Sequence, residues 1–171
     1  MYSTATLARF AAAGTLLMTS VASAQATKAQ AELASAMRGA KHVALADAIE
    51  TASASGKPIS ARYEFEDGKL QLSVFVEKAG AYSEVFVDHV TGKVAKIDKI
   101  TGGDDMKDAK AQNKAFAKAT ETIASAVAKA VAANPGYTAV DVTPVVEGKR
   151  VVAEITLMKD GRFKGASQPL M

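Results

Sequence analysis

Two histidines, His42 and His89, are the only imidazoles in the 171-residue chain, and it holds no cysteine. Imidazole and thiolate carry most proton transfer and transition-metal ligation near neutral pH, so these counts narrow the chemistry at once. His42 stands at the start of a helix pattern and His89 in a turn pattern. Asp88, beside His89, could bind a metal if a third ligand joined them. Turn capping is the expected role, because an Asx side chain bonds backbone amides two residues on. Glu64, Glu66 and Asp67 form one acidic group and Asp104 with Asp105 another. Neither has the spacing of a calcium loop, which needs six or more converging oxygens, so both are expected to be solvated strand and cap residues. No His-Glu-x-x-His, Gly-x-Ser-x-Gly, Walker or dinucleotide glycine pattern occurs. The expectation is a protein with no catalytic residues, no cofactor and no metal site.

The elements that would position any site begin after an export signal. Arg9 precedes an apolar run from Phe10 to Val21 and the small-residue motif Ala22-Ser23-Ala24, which predicts a signal peptide over 1–24. That run falls short of the roughly 20 residues needed to cross a bilayer. The mature chain is therefore expected to lack a membrane span and to be periplasmic or secreted. The full chain carries a net charge of +3, with both signs interspersed, which argues against nucleic acid as a partner. Without disulfides, stability must come from apolar burial.

Segment 25–40 is rich in Ala, Gln and Lys, with a thin apolar stripe at Leu33, Met37 and Ala40 that predicts a loosely docked helix. In 41–100 the pattern strengthens. Leu45, Ala48, Ile49 and Ala52 share one helical face, and Gly56 with Pro58 ends that helix, Gly56 suiting a left-handed position. Ile59, Ala61, Tyr63 and Phe65 then alternate with polar residues, Asp67-Gly68 makes a tight hairpin turn, and Leu70, Leu72, Val74 and Val76 return. A third strand over Ala81–Asp88 and a short fourth over Val94–Ile97 follow.

The same order recurs. Leu45-Ala46-Asp47-Ala48-Ile49-Glu50-Thr51-Ala52 is echoed by Ile123-Ala124-Ser125-Ala126-Val127-Ala128-Lys129-Ala130, within one long helix expected over Lys107–Ala133. Segment 101–115 reads as linker and helix start, and 116–171 as a truncated second unit. There Tyr137 to Val146 is interrupted at Pro144, which argues for an edge or a bulge. Val151, Ala153, Ile155 and Leu157 parallel Leu70 to Val76, and Arg162 to Ala166 ends the unit. Phe75 and Phe86 fall at positions that alternation assigns to solvent, on neighbouring strands. They are either covered by another element or part of a partner-binding surface.

Leu45-Ala46-Asp47-Ala48-Ile49, Tyr63-Glu64-Phe65-Glu66-Asp67-Gly68-Lys69 and Glu84 to Val94 resemble the PepSY domain, whose third strand ends in a Val-Asp-x-x-Thr-Gly-like turn. Val87, Asp88, Thr91 and Gly92 match it. The resemblance covers Lys41 to Ile100, with Thr122 to Pro169 less similar. It implies an α+β fold of two units, each a helix packed on a three- to four-stranded antiparallel sheet. It also implies an exported binding protein whose partner is a protein or peptide, with inhibition or regulation of a peptidase as the role. A small-ligand or metal-sensing envelope protein is the alternative.

Overall fold

The computed structural model describes residues 28–39 and 41–171. The segment expected to be a signal peptide, 1–24, and Ala40 lie outside the described residues. Among these, the chain is α+β, with four α-helices and one seven-stranded antiparallel sheet. Helices α1 (Lys28–Ala36) and α2 (Leu45–Ala52) precede a meander of β1 (Lys57–Glu66), β2 (Lys69–Lys78), β3 (Ala81–Val87) and β4 (Val94–Ile100). Helices α3 (Gly103–Phe116) and α4 (Ile123–Ala132) precede β5 (Thr138–Glu147), β6 (Arg150–Lys159) and β7 (Arg162–Pro169).

Local chemistry accounts for the meanders. Asp67 and Gly68 have φ of 50° and 74°, and Asp160 and Gly161 have 51° and 75°. Positive φ at both central positions matches the twist of the flanking strands, so each pair closes a two-residue hairpin. Pro144 pairs with Ala153 of β6 at a point where β1 no longer pairs with β5, so its missing N–H breaks no ladder on that side. Strands β4 and β7 run longer than their patterns suggested, to Ile100 and Pro169.

The strand order is β4-β3-β2-β1-β5-β6-β7, so the two halves do not form separate sheets. They join edge to edge where Ala61 opposes Val142 and Arg62 opposes Asp141. The register puts Ala61, Tyr63, Leu72, Val74, Val85, Val142, Ile155 and Leu157 on one face, all buried. Helices α2 and α4 pack side by side over it through Leu45, Ala48, Ile49, Ile123, Ala126 and Val127. Each fully buried aliphatic chain there contributes about 1.5–3 kcal/mol. The opposite face carries Ser60, Phe75 and Glu84 in one row and Arg62, Ser73 and Phe86 in the next. Helix α3 packs across β1 and β5 on that side, where Ser60 Oγ donates to Gln112 Oε1 at 2.7 Å.

Three expectations are corrected. Helix α1 docks firmly, with Leu33 and Met37 buried in the core. The long helix expected over Lys107–Ala133 is two helices, because Thr120 and Glu121 spend their amides on the Leu170 carbonyl and Thr122 caps α4 through a bond from the Ser125 amide. Gly56 does not adopt a left-handed φ. Glycine is needed there for close approach, since a Cβ would lie 2.8 Å from the Glu77 carbonyl oxygen. Replacing Gly56 by Ala should therefore push β2 off α2 and cost about 1–3 kcal/mol, measured by urea denaturation. An unchanged midpoint would remove this account of Gly56.

Candidate functional site

The fold brings the two histidines together. His42 lies in the strap that joins α1 to α2, and His89 in the turn between β3 and β4. Their Nδ1 atoms are 3.1 Å apart, with ring planes inclined at 53°. The backbone fixes both ends, because the Val43 amide donates to the His89 carbonyl at 2.9 Å and Tyr63 Oη donates to the Val43 carbonyl at 2.6 Å. His42 also meets the edge of the Tyr63 ring. Burial, with His89 adding to it, holds His42 below the ordinary imidazole range, while the Met37 backbone works the other way. Burial pushes the Tyr63 hydroxyl far above its usual range.

Asp88 anchors the same turn. Its Oδ1 accepts from the amides of Val90 at 3.0 Å and Thr91 at 2.7 Å, and its own amide and carbonyl bond Lys93 and Gly92. Those bonds hold its carboxyl below the usual range. This is the capping role that the residue type predicts, and Gly92 takes φ of 72° to complete the turn.

Beyond the turn, β4 ends the sheet with its outer edge unpaired among the described residues. Helix α2 packs over β1, β2, β3 and β5, and β4 is exposed from Val94 to Ile97. Val90, Val94 and Ile97 are 66%, 40% and 49% exposed, three of the five exposed large apolar residues among those described. Val94 opposes Val87 and Ile97 opposes Val85, so both extend the helix-covered face past its helix. Within the strand Lys96, paired with Asp98, and Lys99 leave one positive charge in surplus, and Lys93 precedes it.

The outward face is polar and crowded. Phe75 is only 5% exposed and lies under Arg62, whose guanidinium carbon is 5.0 Å from the ring centroid. Phe86 is half-buried under Lys96 Nζ at 5.7 Å. The two aromatics that alternation places on the outward face therefore do not share one open patch: α3 lies on that face, and a cation lies over each ring. Arg62 Nε also meets Glu64 Oε2 at 3.1 Å. Burial raises Glu84 to about 7, against the pull of Ser73 and Arg62, and raises Asp141 to about 7, against Arg62. Glu64 and Glu66 belong to this cluster, and Glu66 is raised by burial and by Glu64, Asp67 and Asp105. Among the described residues no group of three His, Cys, Asp or Glu side chains is placed to hold a metal, and no helix is long and apolar enough to cross a membrane.

The sequence patterns missed the histidine pair and the β4 patch. A period-2 pattern shows which face a residue takes but not which strand ends the sheet. Compared with known proteins, the chain matches no family model, no curated protein and no solved structure.

A buried carboxyl whose folded pKa is raised binds its proton more tightly in the folded chain, so the stability it confers is lost as pH rises through about 7. Glu84→Gln removes that ionisation. The variant should be more stable than the parent at pH 8, by roughly 1–2 kcal/mol, with the gap closing by about pH 4, below the ordinary carboxyl range. Thermal unfolding at the two pH values tests this, and an equal gap at both would sink it.

Proposed function

We propose that the chain is an exported, non-catalytic binding protein, built of two PepSY-like units joined at β1 and β5, that holds an extended segment of a protein or peptide partner along β4. The observation that carries this reading is the unpaired edge of β4 flanked by Val90, Val94 and Ile97. An added strand takes its affinity from main-chain hydrogen bonds and its selectivity from alternate side chains. The exposed valines and isoleucine give such a strand an apolar shelf on one face, and Phe86 with Lys96 gives a mixed one on the other. The surplus of lysines on β4 guards against self-pairing and favours an acidic segment. A secreted peptidase is the class of partner that the family resemblance implies, and the absence of a recognisable catalytic motif fits a regulator.

The test uses extended peptides in which Glu alternates with Val. Binding should slow amide exchange across Val94–Ile100, and Val94→Lys with Ile97→Lys should weaken it at least tenfold while circular dichroism stays unchanged. Protection at β7 instead, or equal affinity in the double variant, would overturn the assignment.

A further inference from the structure

We propose that His42 and His89 form a two-nitrogen chelate for one borderline divalent transition ion, of the class of Cu²⁺, Ni²⁺ or Zn²⁺. The chain has only these two histidines, they lie on different segments, and the fold turns the same ring nitrogen of each toward the other. Metal–imidazole bonds of about 2.0–2.1 Å place two neighbouring ligand nitrogens of one ion about 2.9–3.4 Å apart. The observed 3.1 Å lies within that range.

Neither ring depends on a loose surface side chain for its position. The strap carrying His42 is tied at Val43 to the His89 carbonyl and to Tyr63, and the turn carrying His89 is held by Asp88. A chelate whose ligands are already placed loses little conformational freedom on binding. Imidazole nitrogen suits copper, nickel and zinc, whereas Mg²⁺ and Ca²⁺ require oxygen donors. The Asp88 carboxylate, next to His89 in the chain, adds negative charge beside the pair. With no third His, Cys, Asp or Glu converging among the described residues, the other coordination positions go to water. That describes an exchangeable ion rather than a structural one, with Cu²⁺ bound most tightly by the usual order of stability.

The site is independent of strand addition at β4, and its test is separate. The purified chain is titrated at pH 7.5 with CuCl₂, NiCl₂, ZnCl₂ and MgCl₂ by calorimetry, alongside His42→Gln, His89→Gln and the double variant. The expected result is one transition ion per chain, at least tenfold weaker in either single variant, and no heat with magnesium. No binding of any of the three ions, or affinity undiminished in the double variant, overturns the proposal. Copper electron paramagnetic resonance on the parent protein labelled with ¹⁵N-histidine keeps the test open if a variant fails to fold. A spectrum split by two histidine nitrogens supports the chelate, and one showing fewer than two refutes it.

Discussion

The seam between β1 and β5 is the constraint on which the rest depends. Only Ala61 with Val142 and Arg62 with Asp141 register across it, yet it turns two meanders into one sheet. A ladder that short would not hold alone, and the helices clamp it from both faces. On one side α2 packs on α4, and both bury alanines there, Ala48, Ala52, Ala126 and Ala130, whose small side chains favour close helix packing. On the other side α3 spans both strands, with Gln112 held by Ser60, Asn113 by Tyr82, and Lys57 over the Phe116 ring. Each half therefore buries its central strand against the other half.

Much of this was legible because strand alternation is a local signal. The faces of β1 to β3 and of β6, the hairpins at Asp67-Gly68 and Asp160-Gly161, and the Asp88 turn all follow from a few neighbouring residues. What stayed hidden is set by distant contacts. The break between α3 and α4 is made by the Leu170 carbonyl, some fifty residues away in the chain, which takes the amides that a continuous helix would have used. The need for glycine at Gly56 comes from Glu77 on the neighbouring strand, and the histidine pair joins positions 47 residues apart. The burial of Phe75 depends on α3 lying on the outward face, which no pattern within β2 can signal.

Arg62 and Asp141 show how a costly pair earns its place at this seam. Neither is a bargain for stability: Asp141 is buried enough to be raised to about 7 even beside a guanidinium, and Arg62 is shared among Glu64, Glu84 and Asp141. Their value lies in register. Side chains alternate across a strand, so sliding β5 by one residue along β1 would turn Asp141 into the apolar layer beneath α2 and α4 and bring Val142 out among the charges. A buried carboxylate facing Leu45, Ile49 and Val127 with no cation within reach costs several kcal/mol, far more than two ladder positions can return. The apolar pattern and the buried carboxyl therefore specify the same register, and the shortest ladder of the sheet is fixed by both.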